Sequence, residues 1–113
     1  MLSVQALKDW GANTQEGITR CMGNEAFYLR MVGMIKNDTH LEQMEEAAAR
    51  HDLAAGFEAA HALKGVLANL ALTPALTPAA QLTEMFRARE DADYQPLLRE
   101  LRTQMTALRE MLS

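Results

Sequence analysis

Apolar residues recur along most of this chain at intervals of three and four, the spacing that lays one buried stripe along a helix. No segment alternates with period two over the length of a strand. The cleanest stripe comes last: Tyr94, Leu97, Leu98, Leu101, Met105, Leu108 and Met111-Leu112 share one face, with arginine and glutamate elsewhere. It predicts a helix over residues 93–112, entered through the polar turn Glu90-Asp91-Ala92-Asp93. Before it, Leu82, Met85 and Phe86 point inward from a helix placed at residues 77–89. Thr73-Pro74 and Thr77-Pro78 are both start signals, because proline suits the first turn of a helix; the second sets this boundary. Residues 53–72 form a third helix, capped by Asp52, whose carboxylate lies at the positive end. Leu41, Met44 and Ala48 mark the stripe of a fourth over residues 39–51, with Thr39 and Glu42 spaced as a capping box.

Upstream the pattern is shorter and more broken. Residues 3–10 predict a short helix stopped by Gly11, and Asn13 with Glu16 predicts a second running towards Met22. After Gly23, Asn24 caps a helix to about Lys36, in which Phe27, Met31, Met34 and Ile35 repeat at helical spacing. Short connections favour antiparallel neighbours. The expectation is an all-α fold, an antiparallel four-helix bundle with additional short N-terminal helices, residues 1–23 packing on the bundle. A chain of 113 residues is expected to form one domain, 1–113. Leu-Thr-Pro occurs twice, as a local echo rather than a longer repeat.

Composition narrows the function. With 49% hydrophobic residues the chain can build a core without staples, and the single Cys21 excludes an intrachain disulfide. Cys21 reads as a semi-buried thiol in a reducing compartment. The first ten residues hold no signal-peptide or membrane-spanning run, so a cytoplasmic location is expected. Asn37-Asp38-Thr39 has the form of a glycosylation sequon, which in such a chain means only a turn. The net charge of −4 is spread over interspersed acids and bases, without the basic stripe of a nucleic-acid binder. No glycine-rich phosphate loop is present, so ATP binding, self-phosphorylation and kinase activity are not expected, and the chain does not read as an enzyme.

The helix over residues 53–72 has two faces with different work. Successive residues advance by about 100°, which places Ala59, Leu63, Val66, Leu67 and Leu70 opposite His61. Around His61 lie Ala54, Phe57, Glu58, Lys64, Gly65 and Ala68, through spacings of three, four and seven. The imidazole should therefore project into solvent from mid-helix, beside a cation and between small residues.

His61-Ala62-Leu63-Lys64-Gly65, preceded by Ala60 and followed by Ala68-Asn69-Leu70, resembles the active-site helix of histidine-containing phosphotransfer (HPt) domains. The resemblance extends more loosely from about Asn24 to the C-terminus. Three positions depart from the family's pattern. Val66 stands where a serine or small residue is frequent, Ala71 where glycine is frequent, and Gly56 where a larger apolar residue is usual.

The resemblance implies a free-standing phosphorelay intermediate. His61 would be phosphorylated reversibly, on Nε2, between receiver-domain aspartates of two-component signalling proteins. It further implies response-regulator receiver domains and a (hybrid) histidine kinase as partners, no cofactor of its own, and Mg²⁺ supplied by the partner receiver. A monomer without nucleic-acid or membrane contacts is the simplest carrier.

The residues fit that chemistry. A neutral imidazole is a nucleophile and also a leaving group. The Lys64 ammonium can hold a phosphoryl oxygen by a charge-assisted hydrogen bond, or pair weakly with Glu58. Gly65 costs about 1 kcal/mol within a helix relative to alanine, which clearance for a partner over His61 would explain. Phe57 is either a docking anchor flanked by Ala54 and Ala68, with Glu58 also expected at the partner contact, or is covered by the N-terminal helices. Asn69 either hydrogen-bonds across the site or faces water. His40 and His51 read as surface or capping residues near helix ends.

Two other classes compete with the carrier. One is a helical adaptor that binds signalling partners without phosphoryl transfer. The other is a metal-binding bundle, since Glu58-Ala59-Ala60-His61 is a Glu-x-x-His step. Carboxylate-bridged bundles use two such steps pointing into the core, and here there is one, pointing outward.

Overall fold

Short polar side chains open four of the seven helices that carry this chain. In the computed structural model, which describes residues 1–113, the Ser3 hydroxyl accepts from the Ala6 amide and starts α1 (Val4–Trp10). Asn13 does the same for α2 (Thr14–Arg20), Asn24 for α3 (Glu25–Gly33) and Asp52 for α5 (Leu53–Asn69), each bonding the amide three residues on. Each bond satisfies one of the amides that the first turn leaves without a partner. A 3-10 turn, Met34–Asn37, follows α3, and the remaining helices are α4 (His40–Ala49), α6 (Thr73–Arg87) and α7 (Gln95–Leu112).

Helix ends are set as locally as the starts. Gly11, at φ 119°, ends α1. Four later helices close on residues with a side chain in the left-handed region: Met22 after α2, His51 after α4, Ala71 after α5 and Arg89 after α6. In each, the next amide reaches back to a carbonyl five residues earlier, as Leu72 does to Leu67 at 2.9 Å. This is the Schellman closure, in which glycine is the usual occupant. Its absence at Ala71 coincides with one of the departures from the HPt pattern.

The four larger helices α4, α5, α6 and α7 form the bundle, with α5 packed most extensively between α6 and α4, and α7 closing against both of these. Connections of a few residues turn each helix back along its predecessor. One contiguous apolar cluster runs from Leu7 to Leu108 and takes in Leu41, Met44, Leu63, Leu67, Leu82, Leu101 and Met105. The N-terminal helices join it: Leu7 is fully buried, and the Trp10 indole donates to Gln104 of α7 at 2.9 Å. Cys21 is buried and unpaired, at 4% exposure, deeper than the semi-buried thiol expected. No helix is long and apolar enough to cross a membrane.

Several boundaries and faces differ from expectation, for identifiable reasons. Helix α6 starts at Thr73, not Thr77, because Pro74 falls in the first turn, where its missing N–H is no loss. Pro78 then sits inside the helix and leaves one bond unmade. Helix α5 ends at Asn69, three residues early, where the turn through Ala71 takes over. In α3 the buried residues are Tyr28 and Val32, continued by Ile35, while Met34 is 63% exposed. The helix is rotated by about one residue from the expected face, because the Tyr28 hydroxyl is bound to the Leu70 carbonyl.

The capping box expected of Thr39 and Glu42 does not form. Asp38 accepts from the His40 amide at 2.8 Å and also meets the His40 ring. Glu42 instead faces α7, where Arg109 holds it through both terminal nitrogens at 2.8 and 3.1 Å. Arg102 makes the equivalent fork on Glu45 and reaches Glu42 as well. Two helices distant in sequence are thus joined by paired guanidinium–carboxylate contacts, the strongest kind of surface ion pair.

Candidate functional site

Helix α5 carries His61 near its middle, with two flanks committed to α4 and α6. Ala59, Ala60, Leu63 and Leu67 are buried beneath it, and His61 itself is exposed. The core side of α5 therefore includes Ala60, next to the histidine, as well as most of the opposite face. Val66 is only half-buried.

The imidazole lies against the ring of Phe57, one turn earlier, at 5.5 Å between centroids and 14° between planes. Phe57 is half-buried beside α6. Its neighbour is Arg87 from the end of α6, whose guanidinium carbon stands 4.9 Å from the ring centroid. Aromatic faces attract cations in this range.

Lys64, one turn beyond His61, is half-buried and takes part in none of the chain's ion pairs. The pair with Glu58 does not form; Glu58 is exposed. At Gly65 a side chain would meet nothing within 4 Å, so this part of the helix surface is open. Gly56 is the opposite case. A Cβ there would collide with the ring of Phe86, so the small residue is what lets α6 approach α5.

Two shallow clefts flank this surface. One, of about 230 Å³, is lined by Ala54, Phe57, Glu58, Phe86, Arg87 and Arg89. It brings together three of the residues singled out from sequence and adds two arginines that sequence reasoning missed. The other, of about 260 Å³, lies between α5 and the α3 region and is mainly apolar, with Met31, Met34, Ile35, Val66 and Leu70 beside Asp38 and Asn69. Asn69 thus belongs to this second cleft, two turns from His61, and Ala68 is half-buried.

The other histidines stand apart. His40 is engaged by Asp38 at the start of α4, and His51 occupies the left-handed turn before α5. Nowhere do three or more histidine, cysteine, aspartate or glutamate side chains gather as a ligand set, and Glu58 and His61 both face solvent.

Comparison with known proteins gives one match. The family model of the Hpt domain covers residues 34–111, which takes in α4, α5, α6 and all but the last residue of α7. No curated protein and no solved structure matches the chain.

Proposed function

Because this chain belongs to the Hpt domain family, a family of phosphocarriers rather than catalysts, we propose that His61 is the residue that carries the phosphoryl group. The observation that supports this most directly is the setting of His61: an exposed imidazole one turn from an unpaired ammonium, beside a stretch of helix that Gly65 leaves clear.

In this reading the Nε2 lone pair of His61 attacks the phosphorus of an aspartyl phosphate on one receiver domain. The bond from phosphorus to the aspartyl oxygen breaks, and the carboxylate leaves with its electron pair. Nδ1 keeps its proton during attack and can release it to water afterwards. Delivery to the aspartate of a second receiver is the same exchange in reverse. Lys64 donates a charge-assisted hydrogen bond to a phosphoryl oxygen, which favours the dianion over the neutral ring. Gly65 gives the partner room to approach.

Ala54, Glu58, Ala68 and Asn69 would border the contact, with Arg87 and Arg89 meeting acidic groups of the partner. Mg²⁺ and the carboxylates that bind it would come from the receiver. The kinase upstream would be a (hybrid) histidine kinase, the carrier a cytoplasmic monomer, and residues 1–113 one functional unit.

The test is transfer onto the purified protein from a panel of phosphorylated receiver domains with Mg²⁺. Acid-labile, alkali-stable phosphate is followed on the wild type and on His61→Gln. Label on the wild type alone supports the reading and its residue together. Label on neither, while a receiver still binds, overturns it in favour of an adaptor.

A further inference from the structure

An exposed side chain on a helix normally moves between rotamers on a scale of picoseconds to nanoseconds. For histidine two χ1 wells are open on a helix, and χ2 is broad and roughly two-fold. An unsupported imidazole would therefore present either nitrogen in several directions. In-line transfer demands one direction, since a displacement of about 1 Å can cost roughly a hundredfold in rate.

The ring of His61 is supported on one side. Residues four apart on a helix have neighbouring Cβ atoms, and Phe57 uses that spacing to lay its ring nearly parallel to the imidazole, 14° apart and 5.5 Å away. Parallel planes constrain χ1 and χ2 of the histidine together, which a contact at a single atom would not do. Phe57 is itself restrained, by the Arg87 guanidinium at 4.9 Å from its centroid. Arg87 is paired along α6 with Glu84 at 3.3 Å.

Arg87 reaches Phe57 because of how the two helices meet. Gly56 and Phe57 are adjacent on α5, as Phe86 and Arg87 are on α6. Contact of Phe86 with the bare backbone at Gly56 brings the next residue of each helix together. Phe86 is fixed from behind by Tyr94, stacked on it at 4.5 Å. Tyr94 is in turn bound through its hydroxyl to the carbonyls of Met85 and Glu90. The restraint on the imidazole is continuous with the core.

We propose that Phe57 is a positioning residue, whose stacked ring holds the His61 imidazole in the orientation used for phosphoryl transfer. This rests on the reading of His61 as the phosphoryl carrier and assigns Phe57 a function distinct from partner docking.

The experiment pairs two measurements on the wild type, Phe57→Leu and Phe57→Tyr. Leucine retains apolar cover and helix propensity but cannot stack, whereas tyrosine keeps the ring. The first measurement, by NMR on the unphosphorylated protein, takes the ring proton shifts of His61 and its χ1 couplings. The second takes single-turnover transfer from a receiver domain charged with acetyl phosphate, and resolves the maximal rate from the half-saturating receiver concentration.

Positioning predicts that Phe57→Leu shifts the His61 ring protons downfield and averages the couplings. The maximal rate should fall by about tenfold with the half-saturating concentration unchanged, and Phe57→Tyr should restore both. Unchanged His61 resonances and couplings in Phe57→Leu overturn the proposal. So does a loss confined to the half-saturating concentration, which is the mark of a docking residue. If the wild type accepts no phosphoryl group from any receiver, the carrier reading fails, and the NMR measurement still decides whether Phe57 orients the ring.

Discussion

The hydroxyl of Tyr28 donates a hydrogen bond of 3.0 Å to the carbonyl of Leu70, tying α3 to the end of the helix that bears His61. Both residues are buried, and burial pushes the Tyr28 hydroxyl up to about 12, away from ionisation. The ring passes close over Gly17, which has no side chain to obstruct it.

Tyr28→Phe keeps the ring and strands the Leu70 carbonyl. An unpaired buried acceptor costs about 1–3 kcal/mol. Urea unfolding should show a lower midpoint with an unchanged slope, and an unchanged midpoint would mean that the bond contributes nothing net.

Two glycines of α5 should respond to the same substitution with opposite signs. Gly65→Ala enters open space and gains helix propensity, a stabilisation of about 0.5–1 kcal/mol. Gly56→Ala drives a methyl into Phe86, and overpacking of this kind costs about 1–3 kcal/mol. Thermal melts of the two variants beside the wild type read both signs at once.

Ala71 is held at φ 55° in the turn after α5. A residue with a Cβ pays roughly 1 kcal/mol for the left-handed region, and glycine does not. Ala71→Gly should therefore stabilise the protein by about 0.5–1 kcal/mol in urea unfolding, against the general rule that glycine weakens a chain.

Glu42 supplies an acid dependence. Its hydrogen bonds from Arg109 hold the carboxyl below the usual glutamate range, with burial opposing and Arg102 assisting. A carboxyl depressed in the folded state contributes stability that is complete above its unfolded value of about 4.3. That contribution is lost as pH falls through the lower folded value. The melting temperature of the wild type should thus exceed that of Glu42→Gln at pH 7, and the gap should close as the pH falls below about 4. A gap that stays constant into acid would show that the charge of Glu42 is not what stabilises.

How far sequence reached depended on the distance over which each feature is decided. The stripes of α4 and α7, and the caps Asn13, Asn24 and Asp52, are local, and they were legible. His61, Lys64 and Gly65 share one helix, so a helical wheel suffices to place them relative to one another. The start of α6 was ambiguous because Thr73-Pro74 and Thr77-Pro78 carry the same local signal, and the helix begins at the first and runs on through the second. The inward face of α3 was misjudged because its hydrogen bond to Leu70 spans 42 residues.

Arg87 and Arg89 lay beyond sequence reasoning for the same reason. Nothing in the sequence near them points to His61; Arg87 comes to Phe57, and Arg89 to the same cleft, because α6 closes on Gly56. The departure at Gly56 from the HPt pattern, which reads as a weakness in sequence, is explained by the Phe86 ring that occupies the space of the missing side chain. Glu42 had a plausible local partner in Thr39 and a stronger distant one in Arg109, and the distant one won.

The openness of α5 at Gly65 and His61 has a consequence for what passes between this protein and its partners. The histidine meets its own chain through the stacked ring of Phe57, and its side chain is exposed. A group added there would break no bond of the fold and would bring about two negative charges to a surface already ordered. The message would be written in charge and not in shape. A partner would have to read it by touching it, and any other protein that missed that small area would find the two states identical.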